Sequence, residues 1–180
     1  MSAREGQGLS YAVWATAWGA MGAVAGPGGL LRIVLPHYQP KDLLELLAWE
    51  YPGAARDEKP FALLIEASRD YFNCRWRDFV AVVCDLPAES SFAGKVLRAC
   101  RGIPYGQTRS YHVLAEMIGQ TDAARAVAAT LSKNRLPLVV PCHRVTHADG
   151  RLGGFSAPGG TELKARLLEL ERRCAETRSE

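Results

Sequence analysis

No stretch of this 180-residue chain approaches the ~18 to 20 uninterrupted apolar residues that a membrane-spanning helix needs. The opening Met1-Ser2-Ala3-Arg4-Glu5-Gly6 is polar and lacks the apolar block of a secretory signal. Both absences lead to the expectation of an intracellular protein, cytoplasmic or, in a eukaryotic source, nuclear, with no membrane partner. The five cysteines (Cys74, Cys84, Cys100, Cys142 and Cys174) are odd in number and form no C-x-x-C pair. That spacing argues against a disulfide framework and a structural zinc site, and leads to the expectation of reduced thiols. The glycine-rich stretch at 153–160 lacks the G-K-[ST] ending of a phosphate loop. Neither sign of charge dominates, with 22 Lys and Arg against 19 Asp and Glu.

The charge is nevertheless uneven along the chain. Residues 1–88 carry eight basic and ten acidic side chains, net −2, whereas residues 89–180 carry fourteen and nine, net +5. A basic half fits a solvated surface or a nucleic-acid footprint, and charge alone does not choose between them. An apolar content of 48% suits a soluble core.

The first 88 residues read as an α+β unit. Tyr11–Trp14, Met21–Ala25 and Leu30–Leu35 have strand character and are separated by Trp18-Gly19 and Gly26-Pro27-Gly28-Gly29, which predicts an antiparallel meander. Lys41–Glu50 and Pro60–Phe72 show helical apolar spacing, and Pro60 suits a first turn. After Asp85-Leu86-Pro87-Ala88 the pattern turns helical. Ser91 is expected to cap one helix, Ser110 a second, and Asp122 a third over Ala123–Ser132. The short turn Gly119-Gln120-Thr121 makes the last two a helix-turn-helix or an ordinary helical hairpin. Five alanines surround the single Arg125 in the third helix, so its narrow face could approach a groove closely.

The chemistry concentrates at Pro141-Cys142-His143-Arg144-Val145, behind the apolar run Leu136–Val140. Pro137 and Pro141 bias their predecessors toward extended backbone, so Cys142 is expected at the end of a stiffened segment. Taken alone, Cys142-His143 fits a buried thiol followed by two basic surface residues better than it fits a nucleophile.

Several motifs then coincide in order. They are Ile103-Pro104-Tyr105-Gly106, Thr108-Arg109-Ser110-Tyr111, Ala124-Arg125-Ala126-Val127, Asn134, Pro141–Val145, Gly154-Phe155-Ser156 and Lys164–Glu171. Together they resemble the O6-alkylguanine-DNA alkyltransferases, also called methylated-DNA–protein-cysteine methyltransferases, densely over residues 91–171. The resemblance implies a ribonuclease-H-like N-terminal domain over 1–88. It implies a winged helix-turn-helix-like domain over 89–180 that carries the acceptor Cys and binds double-stranded DNA through the minor groove, as a monomer.

The same resemblance implies single-turnover repair, with Cys142 taking the alkyl group of O6-alkylguanine, and of O4-alkylthymine, and no cofactor. A free thiol titrates near ~8.5, so the site must favour the thiolate, and a Cys142–water–His143–Glu171 relay is implied. Tyr111 is implied to donate to the base N3, the Ser156 N–H to the base oxygen, and the Cys142 and Val145 carbonyls to accept from the exocyclic amine. Arg125, flanked by Ala124 and Ala126, would fill the space left by the flipped base, with Thr108 and Tyr111 also at the DNA. Asn134 would tie the recognition helix to the Cys142 segment, although an Asn at a helix C-terminus needs no other reason. Ala128, Arg135 and Phe155 depart from the residues usual in the family. Zinc in the N-terminal part would need Cys or His there, and His37 is the sole candidate before Cys74, so none is expected.

Two competitors remain. A damage-recognition protein that recruits other repair factors without catalysis would replace the acceptor Cys, which is present here. A thiol hydrolase would ordinarily draw its His from a distant position and would need an oxyanion donor set.

Overall fold

The computed structural model describes residues 8–75 and 78–176, and the polar opening Met1–Gly6 lies outside them. The chain divides into two compact units, Met1–Asp85 and Leu86–Glu180. Among the described residues no helix is long and apolar enough to cross a membrane.

The first unit is built on β1 (Ser10–Thr16), β2 (Gly19–Gly26) and β3 (Gly29–Val34), the expected antiparallel meander. A short β4 (Ala55–Arg56), not foreseen, pairs in parallel with β1, giving the order β3-β2-β1-β4. Two residues carry too little periodicity to announce a strand. Helix α1 (Pro40–Glu50) covers the sheet, with Leu43 and Leu47 packed among Ala20, Val24 and Val34. The approach is close because Gly22 has no side chain: a Cβ there would lie 2.9 Å from Leu47 Cδ1. Helix α2 (Ala62–Phe72) follows a 3-10 turn at Lys59–Phe61, where Pro60 fits as expected. Its Ser68 accepts from Trp14 Nε1 at 2.9 Å and donates to Ile65 O at 3.0 Å, so both buried polar groups are satisfied.

The second unit opens with α3 (Phe92–Arg101), where Ser91 Oγ accepts from Gly94 N at 3.0 Å as expected for an N-cap. Ser110 likewise caps α4 (Tyr111–Met117) through Val113 N at 3.1 Å. The expected third cap is corrected. Helix α5 (Ala124–Leu131) begins after Ala123, without a side-chain cap bond, and Asp122 lies exposed in the connection. A turn bond from Ala123 N to Gln120 O, 2.9 Å, closes the entry to α5 instead. The last described element is α6 (Gly160–Glu176), and β5 (Arg109–Ser110) pairs in parallel with β6 (Val145–Thr146).

The expectation of reduced thiols holds at Cys84, Cys100 and Cys142.

Candidate functional site

The segment ahead of Cys142 is not extended. Residues 136–146 are all buried, and their backbone is satisfied by successive turns. Val140 N donates to Leu136 O at 2.8 Å, and Cys142 N donates to Val140 O at 2.8 Å across Pro141, whose φ of −78° and ψ of 64° make an inverse γ-turn. Leu138 takes a φ of 69°, left-handed geometry uncommon for a side chain of its size. Cys142–Arg144 then form one 3-10 turn, so neighbouring side chains diverge by a third of a turn rather than alternating.

Asn134 fastens this arrangement. Its Oδ1 accepts from Leu136 N at 3.0 Å, while Nδ2 reaches Val140 O at 2.8 Å and Cys142 Sγ at 3.1 Å. Cys142 is 6% exposed, and burial raises its pKa, a shift opposed by the Asn134 hydrogen bond and then by the charge of Lys164. The site therefore holds a protonated thiol at rest, with donors and a cation waiting on the ionised form.

His143, fully buried, places Nε2 2.7 Å from Glu171 Oε1 on α6. Burial lowers the His143 pKa against the opposing pull of Glu171, so the ring is neutral at pH 7. Burial works to raise the Glu171 pKa, but His143 and then Arg144 outweigh it and hold the carboxyl at about 2. An ionised carboxylate only accepts, so Nε2 carries the proton and Nδ1 the lone pair. Nδ1 is buried without a hydrogen-bond partner among the described residues.

Arg144 completes the cluster. Its Nε lies 2.9 Å from Glu171 Oε2, one terminal nitrogen donates to Oε1 at 2.9 Å, and the other donates to Ile103 O at 2.7 Å. Gly106 N adds a 3.0 Å bond to Glu171 Oε2. Arg144 also lies over Tyr105, 5.5 Å from the ring centroid. The fork-like contact holds the Glu171 carboxylate in place against His143.

Tyr111, half-buried at the start of α4, meets His147 edge-on with centroids 5.4 Å apart. Gly153 passes so close that a Cβ there would sit on the Tyr111 hydroxyl, 2.1 Å away. Lys164 Nζ lies 5.9 Å from the Tyr111 ring centroid and donates to Val145 O at 2.6 Å, so that carbonyl already has one partner.

Cys142, His143, Glu171, Tyr111, Asn134 and Val145 thus belong to one set of elements around the 3-10 turn. Ser156 lies exposed in the irregular stretch 151–156, with no hydrogen bond to the cluster among the described residues. Arg125 and Ala126 are exposed on α5, Ala124 is half-buried, and Thr108 is exposed before β5. The sequence reading did not assign roles to Arg144, Gly106 or Lys164. A sign was present for Lys164, which stands on the buried stripe of α6 with Leu167, Glu171 and Cys174. Among the described residues no group of three or more His, Cys, Asp or Glu could hold a metal ion.

Residues 91–173 match the family described as the 6-O-methylguanine DNA methyltransferase DNA-binding domain. A methylated-DNA–protein-cysteine methyltransferase of Mycolicibacterium paratuberculosis is 43% identical over 121 residues, covering 67% of this chain and 71% of that protein. The inducible enzyme of that name from Bacillus subtilis is 36% identical over 154 residues, 81% of this chain and 82% of its own. Among solved structures, Mycobacterium tuberculosis OGT in complex with DNA superposes with a TM-score of 0.74 at 31% identity, covering 92% of this chain and 94% of that one.

Proposed function

The chain belongs to the methylated-DNA–protein-cysteine methyltransferase family, and we propose that it repairs DNA by moving the alkyl group of O6-alkylguanine, and of O4-alkylthymine, onto its own Cys142. The observation that carries this reading is a single free thiol bonded by Asn134 and followed directly by the buried His143–Glu171–Arg144 cluster.

In the step itself the thiolate attacks the alkyl carbon in line, the S–C bond forms as the C–O6 bond breaks, and guanine leaves as an anion that is then protonated. The displacement is redox-neutral, so atoms and electrons balance without a further reagent. The thiol proton passes through a bridging water to His143 Nδ1, and the resulting imidazolium is stabilised by Glu171, which Arg144 keeps ionised. Tyr111 at the base N3 and the Ser156 N–H at the base oxygen meet the charge developing on the leaving guanine. The Cys142 and Val145 carbonyls read its exocyclic amine. A thioether has no good leaving group, so each molecule acts once.

Residues 89–180 carry both the DNA and the acceptor, and residues 1–88 form a ribonuclease-H-like domain. Helix α5 enters the minor groove of double-stranded DNA with Ala124 and Ala126 against its walls. Arg125, exposed and unpaired among the described residues, fills the stack left by the flipped base, and Thr108 meets the backbone. The protein works as a monomer in the cytoplasm, where its substrate DNA would be found in a prokaryotic source. The test is nucleoside analysis of a duplex holding one O6-methylguanine: guanine regenerated one-for-one with protein, without added cofactor, supports transfer. Bound but unchanged O6-methylguanine would make the protein a damage-recognition module instead.

A further inference from the structure

Helix α6 buries two charges, and they are answered differently. Glu171 is met by Arg144, His143 and the Gly106 N–H. Lys164, two turns earlier and fully buried, meets only the Val145 carbonyl and the Tyr111 ring, and among the described residues no carboxylate pairs with it. An ammonium held this way is costly, because one carbonyl and one ring face replace little of its hydration.

The charges around the acceptor show what can answer it. Arg144 and Glu171 cancel each other. His143 is neutral at pH 7, and both Tyr111 and Cys100 have their pKa raised, first by burial, and stay protonated. That leaves Lys164 as the unbalanced cation and Cys142 as the group whose ionisation balances it. Cys100, on α3, also faces Lys164 but is more fully buried, whereas Cys142 has the Asn134 amide 3.1 Å from its sulfur. The Lys164 pKa is drawn down by burial and back up first by Cys142 and then by Cys100, the reciprocal of the same interaction.

We propose that Lys164 is a positioning residue for the alkyl acceptor: its ammonium, fixed on the Val145 carbonyl beside the turn that carries Cys142, supplies the standing positive charge against which Cys142 ionises. The proposal rests on the reading of Cys142 as acceptor and extends it. The His143 relay removes the proton, and Lys164 makes the anion that remains tolerable in a buried site. With His143 holding the proton against Glu171, Lys164 is the cation left to face the thiolate.

The experiment compares the wild-type protein with Lys164→Met and Lys164→Gln, after circular dichroism has established that each is folded. The rate of carbamidomethylation of the Cys142 peptide by iodoacetamide is followed by mass spectrometry across pH. Loss of the charge is expected to move the midpoint of that profile upward in both variants and to slow the reaction at pH 7 about tenfold, while the limiting rate at high pH is kept. Gln retains a donor for the Val145 carbonyl, so it separates charge from hydrogen bonding. A shift in Met alone would make Lys164 a scaffold, and no shift in either would overturn the proposal outright. Iodoacetamide needs no alkylated base. A protein that shows the shift yet repairs no DNA therefore refutes the functional reading and leaves Lys164 standing, and repair with an unshifted midpoint does the reverse.

Discussion

Asn134 Nδ2 lies 3.1 Å from Cys142 Sγ while the same amide holds Val140 O at 2.8 Å, so one side chain both shapes the turn and touches the reacting atom. Asn134→Ala is expected to slow alkyl transfer by about tenfold or more and to cost about 1–3 kcal/mol, because buried backbone groups lose their partner. Asn134→Asp should be slower still, since its carboxylate repels the thiolate. Single-turnover rates alongside urea titrations check this, and an Asp variant faster than Ala would contradict the assigned contact.

Stability should fall in acid through Glu171. Its carboxyl titrates at about 2 in the folded chain against an ordinary 4.5, so its contribution is present above about 4.5 and is lost as pH falls toward 2. The shift corresponds to about 3 kcal/mol. Urea midpoints between pH 6 and 2 should show this loss in the wild type and a flatter profile in Glu171→Gln. That variant should also be weaker at neutral pH by about 3–5 kcal/mol, because Arg144 is left buried without its anion.

Gly153→Ala should act on Tyr111. A Cβ at 153 falls 2.1 Å from the Tyr111 oxygen, and a phenol ring cannot yield by bending its end alone. Transfer is expected to drop about tenfold or more, with stability changed little, because residues 151–156 form an irregular loop. The double variant with Tyr111→Phe should lose less than the two single effects added together; full additivity in single-turnover rates would contradict the contact.

The meander, the two covering helices and the Ser91 and Ser110 caps were legible in the sequence because each is local: alternation, helical periodicity, or a hydroxyl ahead of an apolar run. Asp122 misled for the same reason, since Ala123 and Gln120 close the start of α5 through backbone alone. Pro137 and Pro141 bias their neighbours toward extended chain, yet Asn134 and the turn bonds fold the segment tightly. The candidate residues were named by motif, but the Arg144 clamp and the buried Lys164 depend on contacts across 27 and 19 positions. No short window contains both partners.

Arg125→Ala should separate DNA work from chemistry. The side chain is exposed on α5 and makes no contact with the Cys142 cluster among the described residues, so reaction with free O6-benzylguanine should be nearly unchanged. Repair of a lesion within a duplex should fall by about tenfold or more, because the flipped base is no longer replaced in the stack. Equal losses in both assays would contradict the wedge role.

The most direct test of the central claim is mass spectrometry of the intact protein and of its Cys142 peptide after incubation with a duplex bearing one O6-methylguanine, beside Cys142→Ala. The account predicts one added methyl group on that peptide, saturating at one per protein and absent from the variant. Tight lesion binding with Cys142 unmodified would contradict it.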